Sequence, residues 1–395
     1  MTMQQKNASV ELEVQEKGTS MGQQLTIFDE LCDKFSITKP IRLIELFAGY
    51  GSQAMALERL GADFTHHKVI EFDRFAVNSY NAVHGTDFPA IDITTVHAAD
   101  LGIVDTNDYC YMMTYSFPCT DLSVVGLQKV MKKGSGTRSG LLWEVERLLK
   151  EMNELPQILF MENVTQVHNQ RNIEDFKSWL NFLESLGYSN YWKDLNAKDF
   201  GVPQHRNRCF MISLLGNYVY HFPEPIMERR TKLKDLLDHN VDERFYLKSE
   251  KAEKLIKQLI VANIPSENEN VDTVLVTKQG TVLERQTDVS ATLLSRDYKG
   301  LSNRDNDNVV VEKISIRQAT KSREMQEDEY EYRIRRLTPK EYGRLMGVSD
   351  EDYEKMASVN SNSQLYKQLG NSIVVDVMVA IFKKLNIEQE KEKND

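Results

Sequence analysis

The sequence predicts an α/β architecture: a mainly parallel sheet with helices on both faces, and a second, smaller β-rich domain. Three observations carry this. From Ile41 to Leu215, apolar runs of strand length alternate with stretches of helical periodicity. The first apolar run ends in Phe47-Ala48-Gly49-Tyr50-Gly51-Ser52-Gln53-Ala54, a GxGxxA turn of the kind that joins a strand to a helix. After Gly216 the alternation stops, Pro223 and Pro225 mark a break, and β-rich segments separated by Gly, Asn and Asp follow.

In chain order, residues 1–22 are polar with little apolar pattern, as in a disordered segment. Leu25, Phe28, Leu31, Cys32 and Phe35 have helical spacing, predicting a short helix over Leu25–Phe35. Strands are expected at Ile41–Phe47, Lys68–Glu71, Tyr109–Tyr115, Ile158–Met161, Tyr188–Leu195 and Arg208–Leu215. Helices are expected at Ser52–Leu60, Arg74–His84, Leu141–Asn153 and Ile173–Leu186. The small unit holds an expected helix at Leu247–Val261 and strands at Val271–Thr277, Thr281–Arg285 and Val309–Ile316. Helical character returns at Pro339–Met346 and Ile373–Leu385.

The chain has 395 residues, enough for two or three domains, with ordinary hydrophobic (41%) and charged (27%) content. No apolar run looks long enough to span a bilayer, and Met1 to Gly22 lacks an apolar signal core, so neither membrane insertion nor secretion is expected. Four cysteines (Cys32, Cys110, Cys119, Cys209) show no CxxC spacing, which argues against a zinc site and for free thiols in a reducing cytoplasm. The net charge of −10 counts against a nucleic-acid partner. Charge is uneven, though: Lys129, Lys132, Lys133 and Arg138 share an acid-free stretch, and Arg333, Arg335 and Arg336 form a second basic cluster. Local patches decide phosphate binding.

Several positions could carry chemistry. Cys119 follows Pro118 directly after the Tyr109–Tyr115 strand, where an α/β enzyme places a nucleophile; a small buried hydrophobe is the plainer reading of a lone cysteine. Glu71 comes 20 residues after Gly51, at the end of the next strand, where an acid can hold the hydroxyls of a ribose. That pattern fits a dinucleotide or S-adenosylmethionine equally. Glu162 ends the Ile158 strand and faces the same crevice, or is simply solvated. Arg206 and Arg208, two apart on an extended chain, should point the same way and suit a carbonyl or phosphate. Asn371 and Ser372 read most simply as a cap for the last helix.

Together these elements resemble the cytosine-C5 DNA methyltransferases. The matching motifs, in family order, are Phe47-Ala48-Gly49-Tyr50-Gly51, Pro118-Cys119, Glu162-Asn163-Val164, Gln204-His205-Arg206-Asn207-Arg208, Arg336-Leu337-Thr338-Pro339-Lys340-Glu341 and Gly370-Asn371-Ser372. Two positions depart from it: Thr120 replaces the usual Gln, and Ile91 replaces the usual Gly before Asp92.

The resemblance implies a Rossmann-like, S-adenosylmethionine-dependent catalytic domain over 38–215 and 360–387. It implies a target-recognition domain over 216–359, an N-terminal extension over 1–37 and a tail over 388–395. It implies that Cys119 attacks C6 of a flipped-out cytosine, that Glu162 holds N3 and the amine, and that Arg208, supported by Arg206, holds O2. The cofactor would lie against Phe47, Ala48, Gly49, Gly51, Glu71, Asp92, Pro118, Leu141, Asn371 and Ser372. Ser123 to Ser139 would form a lid. Candidate DNA contacts are Ser123, Lys129, Lys132, Lys133, Arg138, Gln204, Lys278, Arg285, Arg296, Lys299 and Arg304. The expected partner is double-stranded DNA and the expected state a monomer; a restriction endonuclease acting on the same site would be a companion of such an enzyme. The competing readings are an RNA cytosine methyltransferase and a catalytically silent DNA-binding regulator of this fold.

Overall fold

The computed structural model describes residues 33–118, 138–226, 231–265, 271–276, 282–285, 288–299, 307–315 and 330–388. Its centre is a six-stranded sheet of β1 (Ile41–Leu46), β2 (Phe64–Ile70), β3 (Cys110–Tyr115), β4 (Ile158–Asn163), β5 (Tyr188–Asn196) and β6 (Asn207–Leu215). The strand order is β2-β1-β3-β4-β6-β5. β1 to β4 run parallel, and β6 is antiparallel to both of its neighbours.

Both faces are covered, which is why the strands read as continuous apolar runs. Side chains nevertheless alternate between two cores. Cys110 and Met112 of β3, Ile158 and Phe160 of β4, and Phe210, Ile212 and Leu214 of β6 face one way. They meet α1 (Ser52–Arg59), α8 (Asn362–Asn371) and α9 (Val375–Lys383) through Met55, Leu57, Leu365, Leu369, Met378 and Phe382. Tyr111, Met113, Leu159, Met161 and Met211 face the other way. There α3 (Leu142–Glu151) supplies Val145, Leu148 and Leu149, and α4 (Ile173–Ser185) supplies Phe176, Trp179 and Leu183. α2 (Arg74–His84) is capped by Asp73, whose carboxylate accepts from Phe75 N–H.

The small unit is an antiparallel sheet of β7 (Val271–Val276), β8 (Val282–Arg285), β9 (Asp307–Ser315) and β10 (Tyr330–Arg335), in the order β8-β7-β9-β10. Helix α5 (Glu250–Val261) packs Leu255 and Leu259 against Val274, Val276, Val309, Val311 and Ile334. Val310, on the opposite side of β9, enters the first large core instead. α6 (Pro339–Leu345) and α7 (Asp350–Val359) contribute Tyr342, Leu345, Tyr353 and Met356 to that same core. Residues 337–359 therefore pack into a core shared by the large sheet and by Phe245, Leu293 and Val310.

Several local expectations change. Asp33–Lys34 is a two-residue strand beside Tyr218–Val219, so the chain is extended where a helix over Leu25–Phe35 was expected to end; residues before 33 lie outside the described part. β10 is an unexpected strand: Ile334 and Tyr332 face the small core, while the charged residues that alternate with them, Glu331, Arg333 and Arg335, hide the pattern. α7 and α8 are also additional. The last helix starts at Val375, not Ile373, and Asn371 closes α8 rather than capping α9. Residues 362–383, which hold α8 and α9, are long and apolar enough to cross a membrane by length and composition, where no such run was expected, but 67% of their apolar 18-residue window is buried in the core.

Candidate active site

The register of the parallel strands builds the site. Leu46 lies beside both Ile70 and Tyr115, and Tyr115 lies beside Met161. The residues that follow, Phe47, Glu71 and Ser116, therefore leave the sheet along one edge, and Glu162, still paired within β4, stands at that same edge. β1 sits between β2 and β3 there, the switch point at which open α/β sheets bind ligands. Because β6 runs the other way, its beginning reaches the same edge, and Phe210 pairs with Glu162. This is why the arginine motif precedes its strand while the other motifs follow theirs.

The two glycines of the turn have different work. Gly51 has φ +84, and a Cβ there would stand 2.3 Å from His84 Nε2 and 2.7 Å from Tyr80 Cε2. It seats the turn on α2. Gly49 has φ +58, and a Cβ there would meet nothing within 4 Å. Its N–H donates to Glu71 Oε2 at 3.1 Å, while Glu71 Oε1 accepts from Asp73 N–H at 2.8 Å. Burial raises the Glu71 pKa and these N–H groups oppose the rise. Both oxygens keep lone pairs for further donors. Phe72, the next residue, is 75% exposed. An open glycine, an anchored carboxylate and a bare aromatic ring at a switch point fit a nucleoside with vicinal hydroxyls. Ala48 is buried against Val69 and Tyr80. Asp92 is exposed, and its carboxylate accepts from Thr94 N–H at 3.0 Å. Leu141 and Pro118 are half-buried. The Ser372 hydroxyl donates to Ser52 Oγ at 3.2 Å, tying the end of α8 to the glycine turn; Asn371 is exposed.

On the other side of β3, Asn163 is buried and its side-chain amide donates to Phe117 O at 3.0 Å. It thereby holds the segment that leads to Cys119, which itself lies outside the described residues. Glu162 is 7% exposed, with Oε1 3.2 Å from Arg208 Nε. Burial raises its pKa, and the guanidiniums of Arg208 and Arg206 limit the rise. Cys110 and Cys209 are buried strand residues, and burial pushes the Cys110 thiol up to about 12 and the Cys209 thiol higher still. Neither is a nucleophile in this setting.

The two arginines do not share a face as expected. Arg206 precedes β6 and is buried; its guanidinium donates to Leu293 O at 3.2 Å, Gly370 O at 3.0 Å and Ser372 O at 2.5 Å. It braces main chain, while Arg208 reaches the carboxylate. Beside this brace the chains almost touch: a Cβ on Gly370 would stand 2.3 Å from Ser295 N. Gln204, a candidate DNA contact, is fully buried and donates to Leu345 O at 2.8 Å, which removes it from any DNA-facing surface of this conformation. The basic cluster near β10 is also spent internally. Arg333 pairs with Glu243, Arg335 with Glu312 and Glu341, and Arg336 donates to the carbonyls of Tyr298 and Arg244. Arg296 and Lys299 are exposed. Arg285 lies on β8 and Arg138 opens the turn before α3. Ser123, Lys129, Lys132, Lys133, Lys278 and Arg304 lie outside the described residues.

A family model described as C-5 cytosine-specific DNA methylase matches residues 41–386. The chain belongs to this family. It is a DNA cytosine-C5 methyltransferase that uses S-adenosylmethionine. Its sequence is 32% identical to the type II methyltransferase M2.ScrFI of Lactococcus lactis subsp. cremoris, over 87% of this chain and 99% of that protein. It is 31% identical to the type II methyltransferase M.HhaI of Haemophilus parahaemolyticus, over 86% of this chain and 92% of that one. The fold is shared with the Entamoeba histolytica methyltransferase EhMeth (TM-score 0.63, 15% identity, 88% of this chain and 98% of that chain). It is also shared with the S. pombe Dnmt2 methyltransferase (TM-score 0.61, 20% identity, 87% and 98%).

Within this methyltransferase, sequence reasoning passed over Phe72 and gave Asn163 no task. An apolar ring directly after the strand-ending acid, in an otherwise polar Phe72-Asp73-Arg74 stretch, was the available signal for the first. Nothing in sequence marks Asn163 as the tie to Phe117, because the two are 46 residues apart.

Proposed function

We propose that the edge between the glycine turn and Glu162 methylates a cytosine extruded from duplex DNA, with the residues acting as follows. Glu71 accepts the ribose hydroxyls, Gly49 leaves room for the nucleoside, and Phe72 covers one face of the adenine, with Asp92 and Leu141 at the rim. When bound, S-adenosylmethionine supplies an electrophilic methyl group to C5. A cytosine ring is a poor carbon nucleophile, so Cys119 adds its thiolate to C6 and the ring electrons move toward C5. Glu162, whose burial favours the protonated carboxyl, holds a proton at N3 where charge develops. Arg208 holds the Glu162 carboxyl group and the cytosine O2. Loss of the C5 proton then expels the thiolate from C6. A base within the duplex cannot offer C6, and extrusion costs roughly a few kcal/mol.

The observation that carries this reading is the buried Glu162–Arg208 pair on the sheet edge that also holds the Glu71–Gly49 bond. The segment from Ser123 to Ser139 would close over the flipped base, Arg296 and Lys299 would contact the duplex, the enzyme would work as a monomer, and a restriction endonuclease acting on the same site would be a companion of it. The test is incubation with labelled S-adenosylmethionine and either duplex DNA or RNA, followed by mapping of methylcytosine. Transfer confined to RNA would sink the duplex assignment. Cys119→Ala should abolish transfer while cofactor binding survives; turnover at the wild-type level would remove Cys119 as the nucleophile.

A further inference from the structure

Behind the glycine turn, on the side away from Glu162, three elements bring together Glu58 of α1, His66 of β2 and His84 of α2. Each offers one ring nitrogen or carboxylate oxygen, and these atoms lie within 4.8 Å of one another. We propose that this cluster is a zinc-class metal site, formed by His66, His84 and Glu58 with an exchangeable water as the fourth ligand.

The hydrogen bonds around the cluster decide where the protons are. His84 Nε2 lies 3.2 Å from Tyr50 O, a carbonyl that only accepts, so Nε2 carries the ring proton. His84 Nδ1 then presents its lone pair, and it lies 3.0 Å from Glu58 Oε1. A carboxylate oxygen and an imidazole lone pair at that distance form a ready donor pair for a cation, whether a proton or a metal ion. His66 Nδ1 is 2.7 Å from the Tyr80 hydroxyl, and Tyr80 gives its own proton to Glu45. His66 Nδ1 is therefore the donor, and the nitrogen it has left is a bare Nε2.

Each histidine thus has its second nitrogen fixed by an acceptor oxygen: Tyr50 O for one and the Tyr80 hydroxyl for the other. That is the outer-shell arrangement that orients imidazoles toward a metal. Two imidazoles and one carboxylate suit zinc, and they leave one position open for water. Ligand atoms on a tetrahedral zinc stand roughly 3.4 Å apart. The His84 side chain is fully enclosed, whereas Glu58 is 45% exposed at the end of α1 and already reaches His84 Nδ1. The missing CxxC pair bears only on thiolate zinc sites. The site adjoins the glycine turn directly, because the ring of His84 touches the position of Gly51 and holds Tyr50 O. Metal occupancy would fasten α1, β2 and α2 beneath the cofactor loop.

The test uses the full-length protein stripped of metal, with zinc chloride titrated against a chromophoric zinc chelator. The wild type should take one zinc at this site, and Glu58→Ala, an exposed and helix-compatible change, should weaken it at least tenfold, as should His66→Asn. His168→Asn, which removes the separate His168–Asp194–Cys209 group, should leave this zinc in place. Cobalt should give the visible bands of a tetrahedral site in the wild type and lose them in Glu58→Ala. Absence of zinc binding by the wild type overturns the proposal. So does zinc affinity unchanged in Glu58→Ala, and so does a zinc lost only with His168→Asn.

Discussion

Replacing Gly370 by Ala tests how tightly the site depends on the segment 288–299. Gly370 lies inside α8 with ordinary helical torsions, so helix propensity alone favours Ala, by about 1 kcal/mol. The new Cβ, however, would stand 2.3 Å from Ser295 N, 2.6 Å from Leu294 C and 2.6 Å from Ser295 Cα. All three are backbone atoms and no rotamer relieves them. The segment must retreat by about 1 Å to reach ordinary contact, in a packed interior where such overfilling costs about 1–3 kcal/mol. Overpacking should therefore win, for a net loss of up to about 2 kcal/mol. The larger effect is on geometry. Arg206 holds Leu293 O at 3.2 Å and Gly370 O at 3.0 Å, and separating those carbonyls breaks one of the two bonds. A misplacement of about 1 Å near reacting groups can cost roughly 100-fold in rate. Methyl transfer to DNA and thermal unfolding, measured on the same preparation, should both fall, the rate far more than the stability. A variant with a higher melting temperature and intact turnover would refute the argument.

Glu71→Ala should weaken S-adenosylmethionine binding more than DNA binding, and Phe72→Ala should do the same with almost no change in stability because the ring is already exposed; calorimetric titration with each ligand checks both. Arg335→Leu should cost about 3–5 kcal/mol in urea unfolding, because Glu341 and Glu312 are left without their buried partner, and adding Glu341→Leu should restore part of the loss. Burial pushes the Glu45 carboxyl up to about 7, so the folded state holds a proton that the unfolded chain releases near 4.5. Stability should therefore fall as pH rises from about 4.5 to about 7, by at most roughly 1.4 kcal/mol per pH unit from this group, and Glu45→Gln should flatten that slope in denaturant titrations at several pH values.

Much of this protein was legible before any coordinates. Alternating apolar runs with strand and helix periods forecast the large sheet, because a buried parallel sheet leaves no other pattern. The acids and glycines of the site could be picked out because each sits at a strand end. The missed elements have a common cause. β10 alternates charged and apolar residues, with Arg333 holding Glu243, 90 residues away, and Arg335 holding Glu312, 23 residues away, so its charges read as a surface patch. The same blindness hid where Gln204 and Arg206 make their hydrogen bonds. Polar side chains advertise a ligand in sequence, but a fold can spend them on its own carbonyls, as it does at Leu345, Leu293, Gly370 and Ser372.

By itself, then, the sequence determined the fold class, through local periodicity, and the family, through the resemblance of its motifs and their order along the chain. Only the tertiary structure decided which arginine meets Glu162, which glycine faces open space, and which helices complete the core. Those outcomes depend on strand direction and on backbone contacts between segments far apart in the chain, and no local pattern encodes them.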